Sequence, residues 1–149
     1  MELAVFVGLQ ASGKSTFFRE RFAATHVHVS KDLLRNNRNK ERRQNQLVED
    51  ALSVGEAVVV DNTNPSPEDR RPLIEAGRRH GVEVNAYYFD SVLKACLTRN
   101  LLRTDNSRVP EVALFATAKK LRAPVLPEGF DRIFVVRFCG EGGFEVREL

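Results

Sequence analysis

The sequence predicts an α/β fold: a parallel sheet of about five strands with helices on both faces. Three observations predict it. Short apolar runs alternate with longer stretches of helical character, the pattern that feeds parallel strands through right-handed crossovers. A Gly/Ser-rich segment stands between the first apolar run and the first helix. Acidic residues follow directly on two of the apolar runs, where a parallel sheet places its ligand cleft.

Residues 3–7 are continuously apolar and end at Gly8, as a strand buried on both faces requires. Residues 16–23 read as a helix, and residues 27–30 as a second short strand ending at Lys31 and Asp32. Residues 33–52 are polar with scattered apolar positions and are expected to hold one or two helices. Val58, Val59 and Val60 make the plainest strand and run into Asp61-Asn62-Thr63-Asn64-Pro65. Residues 67–81 read as a helix, with Ser66 at the N-cap, Pro67 at the first helical position and Gly81 as the stop. A strand at 82–89, helices at 91–103 and 112–121, a Pro/Gly-broken loop at 123–129 and a fifth strand at 133–138 complete the reading. No repeat, linker or low-complexity tract interrupts it, so residues 1–149 are expected to form one domain.

Composition sets the outer limits. A chain of 149 residues with 42% hydrophobic and 29% charged residues can bury a real core. The net charge is +3, yet 23 Lys and Arg allow local basic patches, so a polyanionic partner is tolerated without being demanded. Cys96 and Cys139 match no metal spacing, and both are expected to be free thiols in a reducing, cytoplasmic setting. No apolar run approaches the ~20 residues of a membrane span, and Glu2 follows Met1, so neither span nor signal peptide is expected.

Gly8-Leu9-Gln10-Ala11-Ser12-Gly13-Lys14-Ser15 fits the phosphate-loop pattern G-x-x-x-x-G-K-S. Glycine lets the backbone curl so that successive N–H groups, around Gly8, Ala11, Ser12 and Gly13, point at phosphate oxygens. The helix that follows adds its positive N-terminus. Lys14 is expected at the β- and γ-phosphates, Ser15 on Mg²⁺, and Thr16 at a further phosphate contact. The segment follows an apolar strand and opens a helix, which sets it apart from a chance Gly turn.

A phosphate loop alone does not separate a kinase from other nucleotide-binding proteins. Asp32 bears on that question. It follows the second strand, so it should share the cleft with Lys14, where a carboxylate can take the proton of an attacking hydroxyl. Its plain alternative is a helix N-cap. Arg35, one helical turn on, pairs with Asp32 or binds an acceptor phosphate. Asp61 after three valines fits the position that holds a metal ion, often through water. Thr63 and Asn64 either meet an acceptor phosphate or build the turn before Pro65. Arg35, Arg38, Lys40, Arg42 and Arg43 crowd nine residues, as a solvated helix face or as a contact for an acceptor backbone. Arg99 and Arg103 stand i, i+4 on a predicted helix, either as surface arginines or to neutralise charge on a transferring phosphoryl group. Most of the ten Phe residues fall in apolar runs and read as core. His26, His28 and His80 show no ligand spacing and receive no role.

Taken together, these segments resemble the polynucleotide 5′-kinase family, the kinase half of polynucleotide kinase–phosphatases. The resemblance spans Phe6 to Phe138. It rests on the phosphate loop through Thr16, on Val27-His28-Val29-Ser30-Lys31-Asp32, and on Asp61-Asn62-Thr63-Asn64-Pro65. Arg99-Asn100 with Arg103, and Ala123-Pro124 with Glu128-Gly129-Phe130, extend it. Gln10 departs from the small residue or proline usual at its place in the loop. The resemblance implies a P-loop kinase-type sheet with a lid at about residues 99–112. It implies ATP and Mg²⁺ as cofactors and a nucleic acid with a 5′-OH end as partner. It makes Asp32 the general base, Arg35 (with Arg38 near it) an acceptor-phosphate contact, and Arg99 and Arg103 the lid arginines. A kinase of a sugar or nucleoside, and a non-catalytic nucleotide-binding adaptor, are the competing expectations.

Overall fold

The computed structural model describes residues 1–140 and 143–149. Five strands, β1 (Glu2–Val7), β2 (His26–Val29), β3 (Ala57–Val60), β4 (Glu83–Phe89) and β5 (Arg132–Phe138), run parallel. A sixth, β6 (Phe144–Glu148), returns antiparallel along β5. Their order across the sheet is β2-β3-β1-β4-β5-β6. β1 is flanked on both sides, with Val5 level with Val60 and Ala86, and Leu3 to Val7 are fully buried. That placement accounts for its unbroken apolar run: a strand covered on both faces has no use for alternation.

Among the described residues five α-helices cover the sheet: α1 (Lys14–Arg21), α2 (Lys40–Ser53), α3 (Pro67–Arg79), α4 (Leu93–Leu101) and α5 (Glu111–Lys120). Leu3, Val5 and Val7 point to the face where Val48 and Leu52 of α2 and Leu73 and Ile74 of α3 pack. Ala4 and Phe6 point to the opposite face, against Phe17 and Phe18 of α1. On that side Phe6 lies 5.1 Å, centroid to centroid, from Phe89 and 5.9 Å from Phe17. A third, smaller cluster joins Leu9 and Ala11 of the phosphate loop to Cys96 of α4 and Leu114 of α5. α4 and α5, whose facing ends frame the stretch at about residues 99–112 expected as a lid, are thereby packed directly on the loop.

The structure extends the expected five strands by one. β6 carries Phe-Glu-Val-Arg-Glu, of which only Phe144 is buried, so no apolar run announced it. The polar stretch after β2 resolves into a single 3₁₀ turn, Lys31–Leu34, and then α2, capped by Asn39, whose side chain accepts from the Arg42 amide at 3.0 Å. α1 begins at Lys14, two residues before the expected start, so the phosphate loop's lysine is itself the first helical residue. α3 begins as expected: Ser66 and Asp69 form a reciprocal capping box with Pro67 at N1. α4 ends at Leu101, short of Arg103. The 123–129 loop contains a 3₁₀ turn at Leu126–Glu128. Cys96 is buried and Cys139 exposed, both free. Among the described residues no helix is long and apolar enough to cross a membrane.

Candidate functional site

The carboxyl ends of β1, β2 and β3 open into a cleft of about 590 Å³. Gly8 leaves β1 with its Cα close against β4. A Cβ there would stand 2.9 Å from Phe89 Cβ and 3.1 Å from Ser12 Oγ, so only glycine fits. Ala11 and Gly13 both take positive φ, +61° and +97°. This left-handed turning makes backbone amides converge, which is how a concave anion site is built. Lys14 Nζ donates to Leu9 O at 2.6 Å, Gly8 O at 3.1 Å and Ser12 Oγ at 3.4 Å. Burial pushes the ammonium down to about 8, against the opposing pull of Asp61.

This depressed lysine carries a prediction. At pH 8 about half of the Lys14 side chains carry the proton, and a bound polyphosphate favours the charged form. Binding of ATP, whose γ-phosphate is already ionised at pH 8, should therefore take up about half a proton at that pH. Calorimetry in two buffers of different ionisation enthalpy measures it. Equal heats in both buffers at pH 8 would show that Lys14 is already charged before the phosphates arrive.

Ser15 and Asp61, 46 residues apart, are brought together: Ser15 Oγ donates to Asp61 Oδ2 at 2.8 Å. Asp61 is buried, and the same Oδ2 accepts from His28 Nε2 at 2.8 Å. A serine hydroxyl beside a carboxylate suits Mg²⁺, which takes few protein oxygens and fills its other positions with phosphate oxygens and water. Asp32 lies in the same cleft as Lys14, Ser15 and Asp61. Its N-cap alternative is resolved against it: the cap of the 3₁₀ turn is Ser30, whose Oγ accepts from the Asp32 amide at 3.2 Å. The Lys31 amide is tied down in turn by Asn62 Oδ1 at 2.9 Å, and Asn62 Nδ2 donates to Gln44 Oε1. The segment after β3 therefore holds the backbone from which Asp32 projects.

Thr63 and Asn64 line the cleft, and each is also committed to structure. Thr63 O accepts from the Gly8 amide at 3.0 Å. Asn64 adopts φ +42° and donates through Nδ2 to Phe6 O at 2.8 Å, so its amide builds the turn. Thr16 lies outside the cleft, its hydroxyl accepting from Arg19 at 3.2 Å. Arg103 lines the cleft and donates to Ser107 O at 2.8 Å. Arg99 does not line it: its Nε donates to Ala11 O at 2.6 Å and its guanidinium sits 5.4 Å from the Phe138 ring centre. The two arginines do not share a helix, because α4 ends between them. Arg35 and Arg38 are exposed and stand outside the cleft.

Three features take their role only from the structure. α5 presents Ala113, Ala116, Thr117 and Lys120 to the cleft as one wall. Gln10 crosses from the loop to that wall, Nε2 to Thr117 Oγ1 at 2.9 Å, so its departure from a small residue serves a contact with the lid. Arg70 of α3 is fully buried. It clamps Glu128 at 2.9 and 3.0 Å and donates to Asn64 O and Arg122 O. Helical periodicity could have exposed the α5 wall; nothing local could have exposed Arg70.

Comparison with known proteins places the chain by family and fold. The bifunctional polynucleotide phosphatase/kinase of Schizosaccharomyces pombe is 27% identical over 141 residues, which cover 92% of this chain and 34% of that protein. A putative bifunctional polynucleotide phosphatase/kinase of Acanthamoeba polyphaga mimivirus is 28% identical over 144 residues, 92% of this chain and 33% of the relative. The chain thus spans about a third of the length of the curated relatives it matches. The fold is shared with Chaetomium thermophilum Kti12 in complex with ADP-AlF3 (TM-score 0.69, 15% identity, 92% of this chain and 89% of that one). It is shared too with a gluconokinase from Sinorhizobium meliloti 1021 (TM-score 0.64, 18% identity, 93% and 83%). A family model described as AAA domain, AAA_33, matches residues 3–125, from the first strand through the phosphate loop, Asp32, Asp61 and both lid helices; the chain belongs to that family of P-loop kinase domains.

Proposed function

We propose that this chain is an ATP-dependent polynucleotide 5′-hydroxyl kinase, converting ATP and a 5′-OH end into ADP and a 5′-phosphate end. The observation that carries the reading is Asp32, placed in one cleft with Lys14 and the Ser15–Asp61 pair and held there through its own backbone and that of Lys31. Among the described residues its carboxylate forms no hydrogen bond or ion pair, which leaves it free to accept from a substrate hydroxyl. The acceptor 5′-OH donates to Asp32, and its oxygen approaches the γ-phosphorus in line with the leaving β–γ bridge oxygen. The new P–O bond forms as the bridge bond breaks, the proton passes to Asp32, and ADP departs with the bridge electrons. Lys14, turning from the carbonyls of Gly8 and Leu9, pairs with the β- and γ-phosphates, and Arg103 supplies positive charge from the lid. Mg²⁺, when bound at Ser15 and, through water, at Asp61, would neutralise charge on the phosphate oxygens. The polynucleotide relatives support the choice of acceptor.

A small-metabolite kinase is the second reading. Asp32, Glu41, Asp61 and Asp69 line the cleft beside Lys14, Lys31, Arg103 and Lys120 while Arg35 and Arg38 stand outside it, an even balance of charge that a neutral polyol also fits. The test is transfer from γ-labelled ATP to 5′-OH DNA and RNA oligonucleotides, beside the same oligonucleotides carrying a 5′-phosphate and a panel of nucleosides and sugars. Label is expected on the 5′-OH oligonucleotides and absent from the 5′-phosphorylated ones. Label on a sugar and on neither nucleic acid would establish the second reading.

A further inference from the structure

We infer that His28 is a positioning residue for the cation site: it holds Asp61 so that Ser15 presents lone pairs, not its hydrogen, to the metal. The inference rests on the nucleotide and Mg²⁺ part of the proposed function and not on the identity of the acceptor.

Asp61 is a carboxylate with only 4% of its surface exposed, and one oxygen, Oδ2, takes two hydrogen bonds at 2.8 Å, from Ser15 Oγ and His28 Nε2. A carboxylate only accepts, so the ring nitrogen facing it must carry the hydrogen. Ser15 owns one hydrogen and two lone pairs. With the hydrogen spent on Asp61, what Ser15 offers the phosphate side is an acceptor face, which is what a hard cation needs. This arrangement depends on Asp61 Oδ2 staying where it is, and two bonds from different elements fix it better than one.

The fold also fixes His28. Its backbone lies in β2, beside β3 and level with Val59, two residues before Asp61. Its ring lies flat on Phe18, centroids 3.9 Å apart and planes 15° apart. Phe18 stands in α1, three residues after Ser15, so one histidine is braced on the helix that carries Ser15 while it binds the residue that orients Ser15. Residues that orient ligands in this way typically set metal affinity by about 10–100-fold.

Two substitutions separate the bond from the stack. His28→Phe keeps a flat ring against Phe18 and removes the donor. His28→Gln loses the ring and keeps an amide donor at a similar reach. Binding of a non-hydrolysable ATP analogue is measured by calorimetry with EDTA and across a Mg²⁺ titration. His28→Phe should need about tenfold more Mg²⁺ to reach half of the metal-dependent gain in affinity, with metal-free binding unchanged. His28→Gln should stay within about threefold of the parent, less than that range. In a Ser15→Ala background, His28→Phe should add less than about twofold, because both act through the same oxygen. This last arm reports on the coupling even where one single variant is unstable. An unchanged Mg²⁺ requirement in His28→Phe overturns the inference. So does a Gln variant as impaired as the Phe variant, which would make the stack the cause, or an equal loss with EDTA, which would make it damage to the loop. A parent chain whose nucleotide binding ignores Mg²⁺ overturns the cation site itself, whereas the acceptor reading falls only to the labelling panel.

Discussion

Arg70→Ala should cost the fold about 3–5 kcal/mol, the range for breaking a buried ion pair by removing one partner. Arg70 is fully buried, and its guanidinium serves Glu128 through two bonds and the carbonyls of Asn64 and Arg122 through two more. Alanine leaves the carbonyls of Asn64 and Arg122 without that donor and the largely buried Glu128 carboxylate with the Val125 amide but no countercharge, and adds a cavity where the side chain stood. Against a typical stability of about 5–15 kcal/mol that is a large share. Urea unfolding of the parent, Arg70→Ala, Glu128→Gln and the double variant would measure it. The double should lie well above the sum of the singles, because Glu128→Gln removes the orphaned charge. A single-variant loss under about 1 kcal/mol would show that water replaces the clamp at little cost.

The clamp matters beyond stability. Arg70 ties Arg122, two residues past the end of α5, to Asn64, and the Arg122 amide donates to Pro65 O at 2.8 Å. The end of the α5 wall is thereby sewn to the turn that forms the cleft floor. Loss of Arg70 should loosen both together.

The parts of the molecule legible in its sequence are those whose cause is local. The buried central strand shows as an apolar run, the phosphate loop as residue types that a curled backbone demands, and the start of α3 as Ser66, Pro67 and Asp69. The meeting of Ser15 with Asp61 was foreseeable too, since both follow strands of one parallel sheet. What stayed hidden depends on partners distant in the chain. Arg70 sits in Glu-Asp-Arg-Arg-Pro, which reads as a solvated helix face, and only Glu128, 58 residues on, makes it core. His28 has no spacing to betray it, because its partner arrives on a neighbouring strand. β6 is an edge strand paired on one side, so its polarity carries no strand signal. Arg99 and Arg103 were placed together by their i, i+4 spacing and by the resemblance. The helix ends between them, Arg103 closes onto Ser107, and Arg99 turns to the loop backbone.

Asp32→Asn should lower turnover by roughly 10²–10⁴-fold, the contribution of a positioned general base, while nucleotide affinity barely moves. Asparagine keeps the size and one oxygen that can orient a hydroxyl, but not the charge that makes proton acceptance favourable. The backbone beneath should hold in the variant: the bonds from the Asp32 amide to Ser30 and from the Lys31 amide to Asn62 do not involve the replaced carboxylate. The transition state of phosphoryl transfer is loose and leaves the proton on the acceptor oxygen until late, which favours the lower end of the range. Asp32→Ala should fall further, because orientation is lost with charge. Single-turnover transfer to a 5′-OH oligonucleotide, beside calorimetric binding of an ATP analogue, reads the two quantities separately. Turnover within about twofold of the parent, far below that range, would strip Asp32 of its role as base. A large loss of nucleotide affinity would instead put the carboxylate on the metal, beside Asp61. An unchanged affinity with a collapsed rate would leave proton transfer from the acceptor as the function of Asp32, the cleft carboxylate that no side chain engages among the described residues.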